Sequence, residues 1–172
     1  MTPDETHAPT EDPVISIGVL AQRVGLSVSA VRKYENEGLV IAHRTEGGRR
    51  LFCHEDIDRI RHIQHLIQDL GLNIKGIRRM QALVPCWELL PCGAEMRTRC
   101  LAYGERSRPC WAIKGLDCAQ GNACRQCVVY RFGSLCTEEI KVLVHQQHGV
   151  GATGPAATEL LERKRHVHTT ER

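Results

Sequence analysis

The sequence predicts a mainly α-helical chain. Four helices and one β-hairpin come first, then a small irregular cysteine-rich module and a short helix. Three observations predict this. Apolar residues recur at helical spacing between Ile17 and Leu83, one Gly-Gly pair with apolar flanks interrupts them, and the periodicity stops at Pro85. Beyond that proline, eight of the nine cysteines crowd between Cys86 and Cys136.

Residues 1–13 read as a disordered lead, with Pro3, Pro9 and Pro13 among polar residues. Residues 14–84 form the first domain. Ile17, Leu20, Ala21 and Val24 share one helical face behind Ser16, a good N-cap, and Gly25 accepts the left-handed backbone that ends a helix. Ser27 caps a second helix, roughly Val28 to Glu37, which Gly38 closes. Two short helices joined by a glycine turn form a helix-turn-helix. In "LVIAHRTEGGRRLFC", Gly47-Gly48 is a two-residue hairpin signal, and Arg49 and Arg50 follow it at the tip. Ile57, Ile60, Ile63, Ile67 and Leu70 give a longer third helix stopped by Gly71. Ile74, Ile77 and Leu83 give a fourth, which Pro85 cuts. Residues 85–136 are the cysteine-rich module, 137–148 a short helix bearing Ile140, Leu143 and Val144, and 149–172 a flexible polar tail.

With 42 % hydrophobic and 25 % charged residues the chain has the balance of a water-soluble protein. No apolar stretch approaches the roughly 18 residues of a membrane span. The acidic start is no secretory signal, so a cytoplasmic protein is expected, and disulfides are rare in that compartment. Net charge is only +3, but residues 14–84 hold eleven Lys and Arg against seven acids. That permits nucleic-acid binding without requiring it.

The ordered series "IGVLAQRVGLS", "RKYE", "EGL", "GGRRLF" and "EDIDRI" resembles the winged helix-turn-helix of the MerR family of bacterial transcription regulators, over about Ile15 to Leu83. A recognition helix presents polar and basic side chains to the major groove. Ser27, Ser29, Arg32 and Lys33 suit this, with Val31 facing inward, Tyr34 offering a hydroxyl to a phosphate, and Arg49 and Arg50 reaching from the wing. The resemblance implies double-stranded promoter DNA as partner, a homodimer, contact with RNA polymerase and no enzymatic activity. It also implies a long dimerising helix after the fourth, which Pro85 interrupts. Lys33 stands where the family has an aromatic, and Cys53 where it has a serine N-cap.

In the module, Cys124 and Cys127 form a CxxC pair, and "VPCW" and "RPCW" suggest a duplication that resembles a two-CW cysteine-rich module. Cys86, Cys92, Cys100, Cys110, Cys118, Cys124, Cys127 and Cys136 are the candidate metal ligands. Zinc or an iron–sulfur cluster is expected, with disulfides as the third option. Trp87 and Trp111 are placed to wall such a centre from water. Arg97, Arg99, Arg106, Arg108 and Arg125 either balance thiolate charge or form a solvated face. Cys53, standing alone, is expected to be packed. Three readings of the whole follow: a regulator tuned by a metal or iron–sulfur centre, an excisionase-like architectural DNA binder with a structural zinc module, or a redox enzyme. The last lacks any flavin or nucleotide motif.

Overall fold

The structure is a computed structural model describing residues 12–90, 92–116, 118 and 123–133. Positions 1–11 of the predicted lead, Cys136, the predicted helix 137–148 and the tail 149–172 lie outside these residues.

Helix α1 (Ile17–Arg23) starts where Ser16 Oγ accepts the Val19 N–H at 3.4 Å. Helix α2 (Val28–Asn36) starts where Ser27 Oγ accepts the Ala30 N–H at 3.1 Å. Gly25 (φ 66°) and Gly38 (φ 73°) take the left-handed backbone that ends each helix. A three-stranded antiparallel sheet follows, built from β1 (Ile15–Ser16), β2 (His43–Arg44) and β3 (Arg50–Phe52) in the order β1-β3-β2. Ile15 pairs with Phe52, and Arg44 with Arg50. The first strand carries no sequence signal because it is two residues long.

The hairpin turn differs from the two-residue loop that Gly47-Gly48 suggests. Thr45 N–H bonds the Arg49 carbonyl at 3.0 Å, and Gly48 N–H returns to the Thr45 carbonyl at 2.8 Å. The loop therefore has three residues, Glu46 to Gly48, with Gly48 left-handed at φ 73°. Thr45 Oγ1 stabilises this choice by accepting the Arg49 N–H at 3.1 Å.

Helices α3 (His54–Gln68) and α4 (Ile74–Ala82) cover the sheet and the first two helices. Leu20, Val31, Leu39, Phe52, Ile60, Ile63 and Ile77 are fully buried in one core. The third-helix stripe is completed by Leu66 rather than Leu70: α3 stops at Gln68, and Leu70 is 54 % exposed. Leu83 likewise caps α4 at the surface, while its neighbour Val84 is buried. Among the described residues no helix is long and apolar enough to cross a membrane.

The module consists of short pieces: α5 (Cys86–Leu89), α6 (Ala94–Arg99), α7 (Leu101–Gly104), 3₁₀ turns at Cys110–Ala112 and Cys124–Gln126, and α8 (Val128–Gly133). It packs on the chain between α2 and the wing. Trp111 Nε1 donates to the Gly38 carbonyl at 2.8 Å, and its ring meets Tyr130 edge-on at 5.2 Å. The buried Arg59 guanidinium of α3 lies 3.7 Å from the centre of the Tyr130 ring and donates to the Tyr130 carbonyl. Such a cation over an aromatic face, out of water, stabilises by about 2 kcal/mol. Arg131 Nη2 pairs with Glu55 at 2.6 Å.

Gly38 is required twice at this junction. Its φ is left-handed, and a Cβ there would stand 2.8 Å from the Ala112 Cβ. Gly25 is also left-handed, but a Cβ there meets nothing within 4 Å. Gly25→Ala should therefore cost only the backbone term of about 1–2 kcal/mol, and Gly38→Ala clearly more. Ala112→Gly should recover the excess in a double-mutant cycle read by urea unfolding. Equal costs for the two glycines would contradict the close approach.

Candidate functional site

The outward face of α2 is polar and basic. Ser27, Ser29, Arg32, Lys33 and Asn36 are exposed, whereas Val31 and Tyr34 point into the core. The Ser27 hydroxyl already caps the helix and bonds Ser29 Oγ at 2.8 Å. Arg32 and Lys33 have no side-chain partner among the described residues. Tyr34 is only 9 % exposed, and burial pushes its hydroxyl above the usual tyrosine value, which keeps it a neutral donor. Arg49 is exposed at the wing tip. Arg50 turns back instead: its Nε meets Glu35 Oε2 at 2.5 Å, while Arg44 Nη2 meets Glu35 Oε1 at 2.7 Å. Arg44 and Arg50 face each other across the hairpin, a like-charge pair that alone would push the strands apart. Glu35, on the recognition helix, neutralises both and fixes the wing to α2. Sequence reasoning missed this residue, although it stands in the "RKYE" segment.

The second assembly is a cavity of about 50 Å³ inside the module. Cys86, Cys92 and Cys100 line it from one side, Cys110 and Cys118 from the middle segment, and Cys124 and Cys127 from the CxxC turn. Thus every candidate ligand among the described residues reaches one space, and all seven thiols are unbridged. Cys136 lies outside the described residues. Leu90, Met96, Leu116 and Val129 fill in between, and no carboxylate or imidazole lines the cavity. Burial, then the charges of Cys100, Cys92, Cys118 and Cys127, push the Cys86 thiol up to about 11. Burial and then Cys86, Cys127, Cys124 and Cys118 push Cys110 up further. Burial raises Cys124, with Cys127 and Cys118 adding to it. Cys127 is also raised by burial, against the backbone N–H groups of Val129 and Tyr130, which bond its sulfur and favour the thiolate. Without a cation these buried thiols stay protonated at neutral pH, and a bound cation would reverse that. The donor set suits a thiophilic metal centre, since soft thiolates select zinc, copper(I) or iron–sulfur. Yet among the described residues no three His, Cys, Asp or Glu side chains are placed to share one metal ion.

Trp111 lines this cavity; Trp87 does not, and packs instead against Tyr103 at 4.9 Å between ring centres. Of the arginines, Arg97 donates to the Cys92 carbonyl at 3.0 Å, and Arg99 and Arg108 pair with Glu95 and Glu105. Arg125 faces away from the thiols that flank it. Its Nη2 pairs with Asp56 at 2.9 Å and reaches Cys53 Sγ at 3.3 Å, and its Nη1 donates to the Ile41 carbonyl. The Ile41 N–H in turn donates to the Tyr130 hydroxyl at 3.0 Å. The module thus holds both backbone polar groups of Ile41, two residues before β2. Burial opposes the Arg125 charge, but Asp56 outweighs it and holds the guanidinium above its ordinary value.

Cys53 is packed, at 3 % exposure. Asp56 makes up for the missing serine cap by accepting the Cys53 N–H at 2.9 Å. Burial, and then the Asp56 charge, push the Cys53 thiol up to about 11.

The family described as MerR HTH family regulatory protein matches residues 15–83. The chain is 44 % identical over 72 residues to a putative heat shock protein HspR of Streptomyces coelicolor, covering 41 % of this chain and 48 % of that protein. It is 40 % identical over 68 residues to the HTH-type transcriptional regulator GlnR of Bacillus anthracis, covering 40 % and 52 %. To the HTH-type transcriptional regulator TnrA of Bacillus subtilis it is 34 % identical over 65 residues, covering 38 % and 59 %. The matched segment spans about half the length of these relatives. It takes in the two helices, the wing and the Glu35 clamp, and ends before the first cysteine of the module. Residues 15–83 are a MerR-family helix-turn-helix domain.

Proposed function

We propose that the chain is a sequence-specific transcriptional regulator of the MerR type that binds double-stranded promoter DNA as a homodimer. A metal or iron–sulfur centre in the cysteine-lined cavity tunes its output. The observation that carries this reading is the exposed Ser29–Arg32–Lys33 face of α2 beside a wing locked to it by Glu35. Two of the relatives bear the name of HTH-type transcriptional regulators. A second copy is needed because one helix-turn-helix reads too few base pairs, and two half-sites mirror a two-fold protein. RNA polymerase is the partner through which such a regulator would act on its promoter.

The tuning rests on the Cys124–Arg125–Gln126–Cys127 turn. Its two thiols face the cavity while its arginine grips Ile41 and Asp56. A change in what the thiols hold moves the anchor of the wing root, and the wing is part of the DNA-reading surface. The chemistry supplied by a bound centre is thiolate neutralisation and, for iron–sulfur, electron transfer.

The outcomes are measured by fluorescence anisotropy on an operator selected from random duplex DNA. Arg32→Ala should lose about 1–3 kcal/mol of specific binding and relax base preference. Arg49→Ala should weaken all sequences alike and flatten the salt dependence by about one counterion. Unchanged affinity and footprint in both would refute the docking.

Glu35→Gln removes a negative charge close to the DNA-facing helix. Simple charge counting predicts tighter binding; the clamp predicts weaker binding, because the Arg44–Arg50 pair is released. A gain in affinity would show that the wing needs no clamp.

Removing the centre by chelation should change operator affinity in the wild type by about 5–150-fold, the usual range of allosteric coupling. Tyr130→Phe, which strips the bond to the Ile41 N–H, should shrink that ratio. An identical ratio in wild type and variant would disprove the route through Ile41.

A further inference from the structure

Between positions 94 and 114 the module carries five Lys and Arg against two acids. Three of these cations are engaged locally. Arg97 donates to the Cys92 carbonyl, Arg99 pairs with Glu95, and Arg108 pairs with Glu105. Arg106 and Lys114 are exposed, and neither side chain has a partner among the described residues.

What separates these two from ordinary solvated charges is where the chain holds them. Ser29, Arg32, Lys33 and Asn36 recur at i, i+3, i+4 and i+7, so they form one exposed stripe along α2. The stripe ends two residues before Gly38, and there the module meets the helix. Trp111 Nε1 donates to the Gly38 carbonyl at 2.8 Å, and a Cβ on Gly38 would stand 2.8 Å from the Ala112 Cβ. Two residues span at most about 7 Å, so the Lys114 backbone lies within that distance of Ala112. On the other side of this contact, the buried Pro109 anchors the loop that carries Arg106. Glu105 shapes that loop. Its Oε1 accepts the N–H groups of Arg106 and Ser107 at 2.9 and 2.7 Å, and its Oε2 accepts from Arg108 at 3.2 Å. With those N–H groups taken, the loop offers no cradle for a single small phosphate. Two cations spaced along a strip fixed to the end of the recognition helix suit a polyanion instead, and the polyanion nearest to that helix is the duplex it reads.

Resting on the reading of the chain as a DNA-binding regulator, we propose that the cysteine-rich module is itself part of the DNA interface. Arg106 and Lys114 contact phosphates that flank the base pairs read by α2. They lengthen the footprint beyond that of residues 15–83 and add no base preference, since phosphates carry no sequence.

The test uses the full-length protein as isolated, with Arg106→Gln, Lys114→Gln and the double variant. Neither side chain has a partner to lose among the described residues, so thermal melting should be unchanged. Binding is followed by fluorescence anisotropy as a function of salt, on a selected operator and on unselected duplex DNA. Each substitution should lower the slope of log K against log salt by about 0.9, and the double variant by about twice that. The affinity lost should be the same on both duplexes. Trimming the operator to its half-sites should weaken the wild type and leave the double variant unaffected. Unchanged slopes in the double variant, with operator binding intact, overturn the proposal and leave the regulator reading standing. Unchanged slopes together with lost transcription by RNA polymerase from the operator-bearing promoter assign the surface to a protein partner and overturn the proposal as well. If no operator is selected but the slope on unselected duplex still falls, the phosphate contacts stand and the reading as a sequence-specific regulator fails.

Discussion

The ion pair between Asp56 and Arg125 is the contact on which the arrangement turns. Asp56 sits at the third position of α3, with a side chain only 3 % exposed. It accepts the Cys53 N–H and so starts α3, the longest helix among the described residues. A carboxylate that far out of water requires a cation, or it destabilises whatever holds it. The cation comes from 69 residues further on, from the middle of a CxxC turn. The helix start and the thiol cavity therefore share one electrostatic requirement. Removing Arg125 would strip the buried Asp56 of its charge partner, a loss that typically costs about 3–5 kcal/mol.

Around that pair the junction is built from groups with few alternatives. Gly38 has room for no side chain opposite Ala112, the Trp111 indole needs an acceptor and finds the Gly38 carbonyl, and Ile41 has both its polar groups engaged by the module. Arg59, buried against Tyr130, adds a cation whose neighbour is an aromatic face. Each contact joins residues more than fifty positions apart. They make the segment from Gly38 to Ile41 a common boundary of recognition helix, wing and module.

This explains what was legible in the sequence and what was not. The four helices, their serine caps at Ser16 and Ser27, and the glycines that end them follow from local chemistry, so periodicity and capping rules found them. The hairpin was found too, but its loop length was settled by the Thr45 hydroxyl, which no glycine count reveals. Leu70 was mistaken for core because the spacing continued past the point where the helix stops. The short strand Ile15–Ser16, the Glu35 clamp and the Arg125 anchor exist only as long-range pairs and leave no local period. The thiols were legible as a set of candidates, since their density is plain. That they surround one space rather than two follows from six short helical pieces whose relative placement no spacing encodes.

The break at Pro85 gives the molecule its organisation. Helix α4 ends at Ala82, Val84 is still in the core, and the residues that follow Pro85 return to Gly38 and Ile41. The thiols thereby lie beside the wing root. The short path from Cys124 and Cys127 through Arg125 to the wing follows from that reversal: two bonded partners separate the cavity from the backbone that carries Arg44. The Glu35 clamp then completes the path, since Arg44 and Arg50 can hold the wing against α2 only if the strand leading into them is itself held.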